Sequence, residues 1–140
     1  MATKRTGEKC GRMLNIDKVL EYRNAWLNYK DAKYYLRYSY LNINKNRHTM
    51  LVLASISRAS REKNIVIDKT KKRTGFMDEF MDLLEEKAVE HTDGVVIENI
   101  LNPFLPGYFD RRGYTLLNEP YNNPRSPSYY KFNSKITDAG

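Results

Sequence analysis

Between Asp68 and Ala88 the chain reads DKTKKRTGFMDEFMDLLEEKA. Four cations, Lys69, Lys71, Lys72 and Arg73, run into Gly75 and then an amphipathic segment. A helix N-terminus presents unpaired N–H groups and a partial positive charge, so it favours an anion. A phosphate held there gains ~1–2 kcal/mol in favourable geometry. Gly75 leaves no Cβ between backbone and ligand, and Lys72 and Arg73 would add charge-assisted hydrogen bonds. The competing reading is a solvated basic loop, with Asp78 and Glu79 satisfying the helix dipole from within. The other chemistry-bearing residues are sparse. Cys10 stands alone, which excludes an internal disulfide, and His48 and His91 make no metal-ligand spacing.

The whole chain favours anionic partners. Twenty-four Lys and Arg against seventeen Asp and Glu leave a formal charge of +7 over 140 residues. Such a surface raises encounter rates with nucleic acids, nucleotides and coenzyme phosphates without choosing among them. Eleven tyrosines and one tryptophan either fill a core or, interleaved with cations, stack on bases. No stretch reaches the ~20 apolar residues of a membrane helix, and the basic N-terminus has no apolar signal segment. A cytoplasmic protein with no membrane contact is expected.

The elements that position the basic loop follow from periodicity. Residues 1–14 read as a flexible basic segment, 15–132 as one domain and 133–140 as a tail. Ile16, Val19, Leu20, Arg23, Trp26 and Leu27 recur at helical spacing behind Asn15 as N-cap, predicting a helix to Lys30. KYYLRYSYLNI predicts a strand over 33–43, NINKNR a turn, and TMLVLASIS a buried strand. NIVID predicts a short strand at 64–68. A helix from Gly75 buries Phe76, Phe80, Leu83, Leu84 and Ala88, and VVIENI predicts a strand at 95–100. A turn and short helix follow, then strands at YTLL and SYYKF. The expected fold class is α/β: a mixed, mostly antiparallel sheet with a central parallel strand pair and helices on both faces.

The segment VVIENILNPFLPGYFDRRGYTLL resembles the C-terminal half of the GNAT-superfamily N-acyltransferases. There a strand ends near an asparagine, a short helix carries an aromatic, and a basic residue precedes Gly-Phe or Gly-Tyr. Asn102, Tyr108–Phe109, Arg111–Arg112 and Gly113–Tyr114 carry the match. KRTGFM then falls on the family's acyl-coenzyme A loop, Gln/Arg-x-x-Gly-x-Gly/Ala, with Lys72 as the basic residue and Gly75 as the first glycine. The resemblance spans roughly half the chain. It suggests a shortened, divergent member of the kind bacteriophages carry, since no strand is read before Asn15.

The resemblance implies an acyl-CoA-dependent N-acyltransferase using acetyl-CoA as co-substrate and no metal. Lys72, Arg73, Thr74, Gly75 and Phe76 would hold the pyrophosphate. Asn102 would contact the pantetheine arm, which lies between two splayed parallel strands, 64–68 and 95–100. Tyr108 is the candidate acid and Glu98 the candidate base or water-orienting group. Two positions depart from the pattern. Met77 replaces the second small residue and crowds the pyrophosphate, and Phe109, which cannot donate a proton, aligns with the usual acid tyrosine. Arg111 and Arg112 read as surface charge. A second function class stays open: an inactive GNAT-like module whose basic surface binds nucleic acid or a host protein. The acceptor amine is not legible.

Overall fold

The computed structural model describes residues 13–58, 75–100, 105–117 and 125–133. The basic run 69–73, the strand expected at 64–68 and Asn102 lie outside them. The elements, in order, are α1 (Asp17–Tyr22), β1 (Asn24–Tyr29), β2 (Ala32–Ile43), β3 (Asn46–Arg58), α2 (Phe76–His91), β4 (Gly94–Ile97), α3 (Leu105–Arg111), β5 (Thr115–Leu116) and β6 (Tyr129–Phe132).

Six strands form one mixed sheet in the order β1-β2-β3-β4-β6-β5. All neighbours are antiparallel except β3 and β4, which run parallel from Met50↔Gly94 to Leu53↔Ile97. The central parallel pair is therefore present, with different members from those expected. Both edges of β4 are occupied, by β3 and β6, which leaves no edge of 94–97 for residues 64–68. The continuous apolar run of β3 reflects this central position: Met50, Leu51, Val52 and Leu53 are all buried.

The helix expected to reach Lys30 stops at Tyr22. Arg23 turns left-handed at φ 77°, and 24–29 is an edge strand. Trp26 and Leu27 happen to fit the helical period, yet the burial of 24–29 alternates, with Ala25, Leu27 and Tyr29 inward and Trp26 outward. Pairing with β2 decides the matter, because a marginal six-residue helix gains less than a full antiparallel ladder. The N-cap is Ile16, with no side-chain cap bond, in place of the Asn15 expected; Asn15 sits one residue earlier and its side-chain oxygen accepts the Asp17 amide at 3.0 Å, an Asx turn.

The β2–β3 hairpin turns at Asn44 and Lys45, both with positive φ as a type I′ turn requires. Farther along, Tyr35 faces Ser55 while Leu36 faces Leu53, so Ala54 is a bulge. The bulge shifts the side-chain phase by one. Ile56 thereby rejoins Leu51 and Leu53 on the face carrying the main core.

That core contains Tyr34, Leu36, Leu51, Leu53, Val95, Ile97 and Tyr129 from the sheet, Phe76, Phe80, Met81, Leu84 and Ala88 from α2, Val19 from α1 and Phe109 from α3. Phe80 meets Tyr34 edge-on, with ring centroids 4.9 Å apart. A smaller cluster, Ile43, Met50, Val52, Val96, Leu117 and Tyr130, occupies the opposite face. All three described helices join the first cluster. Helices on both faces, as expected, are thus not found among the described residues. The apolar positions of α2 recur every three or four residues and form one stripe, which can bury against only one face.

Candidate functional site

Helix α2 crosses back over the sheet between the two parallel strands. Its C-terminal end is fixed where they begin: the Thr92 hydroxyl donates to the Ala88 carbonyl at 3.1 Å, and the Asp93 amide donates to the Thr49 carbonyl at 2.8 Å. Its first turn therefore lies at the C-terminal ends of β3 and β4. Arg58, the last residue of β3, stacks on the Phe76 ring at 4.1 Å and is held by Asp31 through bonds of 3.0 and 3.3 Å. Glu79 accepts from Tyr29 at 2.6 Å and from Lys30 at 2.9 Å. In open α/β sheets ligands gather at the C-terminal ends of parallel strands.

Gly75 caps the helix at φ 90°, ψ 5°, and its carbonyl accepts the Glu79 amide at 2.9 Å. An added Cβ would meet nothing within 4 Å among the described residues, so these leave the space around the cap open. Phe76, expected in the phosphate loop, is instead a buried core residue. Only its backbone is available to a ligand. Met77 is half-buried against the main core, a packing role rather than a loop role. An open groove of about 650 Å³ beside Gly75 is lined by Lys30, Asp78, Glu79, Asp82, Leu83 and Glu86. Gly75 itself lines this groove, so four carboxylates against one ammonium mean that an anion at the cap needs further cations to offset them.

The second feature is the parting of the parallel strands. Their last shared bond runs from the Glu98 amide to the Leu53 carbonyl, at 3.0 Å. The bulge at Ala54 follows at once on β3. On the other side Asn99 turns left-handed at φ 52°, and the Ile100 amide donates to the Pro127 carbonyl at 2.8 Å. The two chains separate here. Residues 54–58 keep β2 on one edge and have no strand opposite the other among the described residues. Among the described residues, the N–H groups on that edge of 54–58 thus face the opening without a strand partner.

The candidate catalytic pair is not brought together. Glu98 follows the phase of Val96, on the sheet face away from the helices, where Arg37 grips its carboxylate through bonds of 2.7 and 3.1 Å. That hydrogen bond raises the Arg37 pKa, against a smaller lowering by burial. Tyr108 sits on the helical side and donates its phenol to Asp78 at 2.6 Å. Burial and this bond to a carboxylate push the phenol well above its ordinary value of 10.0. Phe109 is fully buried against Tyr108 and Tyr114, with ring centroids 5.1 and 5.3 Å away.

Arg112 is no surface charge. Its Nε donates to Glu85 at 3.0 Å and one terminal nitrogen reaches Glu85 at 3.2 Å and also bonds Asp82; the other meets the Tyr108 hydroxyl at 3.4 Å. Tyr114 adds a 2.7 Å bond to Glu85. Burial lowers the guanidinium's pKa, but the bonds to Glu85 and Asp82 more than reverse this. The network fastens α3 to α2 and so sets the position of Tyr108. The sequence carried a signal for it: Asp78, Asp82 and Glu85 fall at i, i+4 and i+7, a stripe of carboxylates that calls for a cation. Ala54 and the Arg37–Glu98 pair left no such trace.

Among the described residues there is no group of three or more His, Cys, Asp and Glu able to hold a metal, and no helix is long and apolar enough to cross a membrane. No protein family, curated protein or solved structure matches this chain.

Proposed function

We propose that the protein is an acyl-CoA-dependent N-acyltransferase of GNAT-like architecture. The observation that carries this reading is the parting of β3 and β4 immediately beyond Leu53 and Ile97, with the α2 N-terminus at the same end. The order of elements agrees with it: a glycine-capped helix follows the first parallel strand, and a short helix follows the second. The splayed pair is β3 and β4, in place of the 64–68 strand first expected.

The acyl donor supplies an activated thioester. Backbone N–H groups of Gly75 and the residues after it receive its pyrophosphate, with Lys72, Arg73 and Thr74 entering from their place directly before the cap. Its pantetheine arm extends along the edge of 54–58 that no strand covers among the described residues, where strand N–H groups orient it and polarise the thioester carbonyl. Asn102, outside the described residues, is the proposed side-chain contact to this arm. The acceptor amine, neutral, attacks the carbonyl carbon; the C–S bond breaks, the nitrogen gives up one proton as the amide forms and the leaving thiolate takes one up, so amide and thiol both end neutral. Glu98 orients the amine or its water from the sheet face. Tyr108 can protonate the thiolate only by giving up its bond to Asp78.

The test is a thermal shift with acetyl-CoA on the wild type and on a variant lacking Ala54. Deleting Ala54 removes the bulge and with it the opening. A wild-type shift that disappears in the deletion variant is the expected result. No shift at millimolar acetyl-CoA would remove the reading.

A further inference from the structure

At the other end of the sheet, cations and aromatic rings alternate on the surface. The guanidinium carbon of Arg23 lies 4.7 Å from the centre of the Tyr38 ring and 5.5 Å from that of Tyr40. Arg47, on the neighbouring strand, lies 4.3 Å from the Tyr40 ring centre. The sequence Tyr38, Arg23, Tyr40, Arg47 thus forms a ladder. Its position is fixed by the backbone: the Tyr38 amide donates to the Arg23 carbonyl at 2.8 Å, and Tyr40 faces Thr49 across the β2–β3 hairpin. β1 ends its pairing at Arg37, so beyond Tyr38 no strand covers the outer edge of β2 among the described residues. Tyr40 is 50% exposed, and both arginines are exposed.

The arginines of this ladder differ from three others. Arg37, Arg58 and Arg112 each grip a carboxylate. Arg23 and Arg47 have no such partner among the described residues. A guanidinium whose face lies on a ring keeps its edge N–H groups directed outward, and those groups match phosphate oxygens. The stacking also orders the side chain before any ligand arrives, which reduces the entropy lost on binding. Tyr40 is half-exposed between the two cations, and a base stacks on its ring as one guanidinium turns from the ring to a phosphate. Lys45 adds a further exposed cation in the adjoining turn.

We infer that this ladder binds single-stranded nucleic acid, with Arg23 and Arg47 on successive phosphates and a base stacked at Tyr40. Charge complementarity selects this occupant: Arg23, Lys45 and Arg47 stand exposed at this end of the sheet, with no carboxylate on either arginine among the described residues, while the groove at the far end is lined by carboxylates. Stacked bases in a duplex do not present a face to Tyr40, so single strands are preferred. The inference does not rest on the acyltransferase reading, since the two sites occupy opposite ends of the sheet.

The experiment is fluorescence anisotropy with labelled oligothymidylate and oligouridylate, each free and annealed to its complement, across a salt series. The wild type should bind single strands more tightly than duplex, with affinity falling as salt rises. The double variant Arg23→Gln/Arg47→Gln should lower the slope of log K against log salt by about 1.4, from ~0.7 per phosphate contact. Tyr40→Ala should weaken binding about 5- to 150-fold, and Tyr40→Phe should bind as the wild type does. Circular dichroism establishes that each variant is folded, and the Tyr40→Phe comparison separates stacking from hairpin integrity. Absence of wild-type binding at low salt overturns the inference. Equal binding of duplex, or wild-type affinity and slope in the double variant, overturns it as well. None of these outcomes changes the acetyl-CoA shift, so the two proposals fail separately.

Discussion

Arg37 and Glu98, sixty-one residues apart in sequence, meet in a two-point ion pair at the place where the parallel strands separate. Arg37 comes from the middle of β2 and Glu98 from the residue just beyond β4. The pair spans β3, and it holds a carboxylate beside the opening on the face free of helices. Both side chains are about one-third exposed, at 32% and 29%, so solvent screens the attraction and the stability it contributes is ~1 kcal/mol or less.

Glu98→Gln therefore separates structure from chemistry. Urea denaturation should show a loss of about 1 kcal/mol at most. If Glu98 orients the amine, steady-state kinetics should show kcat reduced about 100-fold with the acyl-donor KM little changed. An unaltered kcat would leave Glu98 as a partner for Arg37 alone.

Gly75 makes a similar separation possible at the α2 cap. With φ at 90° and open space around the Cα among the described residues, Gly75→Ala should cost about 1–2 kcal/mol through backbone strain only. Gly75→Glu should cost a comparable amount and also place a negative charge against the proposed pyrophosphate. Acetyl-CoA at 100 times its dissociation constant stabilises a competent protein by about 2.7 kcal/mol. Calorimetry should show that increment vanish in Gly75→Glu while cooperative unfolding persists.

Gly94 is constrained by contact instead. An added Cβ would lie 2.3 Å from the Lys131 carbonyl oxygen, 2.9 Å from the Met50 methyl and 3.0 Å from the Phe132 Cα. The obstruction is mostly backbone of β6, the strand that closes the far edge of β4. Gly94→Ala should destabilise by about 3 kcal/mol or more, read as a lower urea midpoint. Wild-type stability in this variant would show that β6 does not pack so closely.

Alkaline pH probes the α2–α3 network. Burial, then the adjacent Glu85 charge, raises the Tyr114 phenol well above 10.0. Above that value the unfolded chain releases the proton while the folded chain retains it, so ν_U is smaller than ν_N. The stability Tyr114 contributes is therefore complete below pH 10.0 and lost as pH rises through the folded value. Tyr114→Phe should lose about 1 kcal/mol near neutrality with its bond to Glu85, and should show a shallower alkaline decline. Phenolate absorbance during alkaline titration checks this: Tyr114 should titrate only with unfolding.

Local chemistry was legible wherever one segment sufficed to define it. The stripe of α2 from Phe76 to Ala88, the turn at Asn44–Lys45, the break at Thr92–Gly94 and the strand 33–43 follow from periodicity and turn residues, and they stand where the pattern put them. The element at 24–29 was misread because Trp26 and Leu27 satisfy two periods at once, and only the β2 ladder chooses between them. A mixed sheet with a parallel centre followed from the alternation of strands and helices. The partners within that pair did not, because strand neighbours are set by competition for edges, a property of the assembled sheet.

The sequence by itself determined a basic, glycine-punctuated junction before an amphipathic helix, and hence a candidate anion site. Tertiary structure decided everything that depends on phase and face. The extra residue at Ala54 shifts β3 by one position where it leaves β4, while the phase of β4 sends Glu98 to one side of the sheet and α3 draws Tyr108 to the other. Arg112 became a clamp only because α3 lays it along the carboxylates of α2. Such pairings join residues tens of positions apart, and no local pattern specifies them.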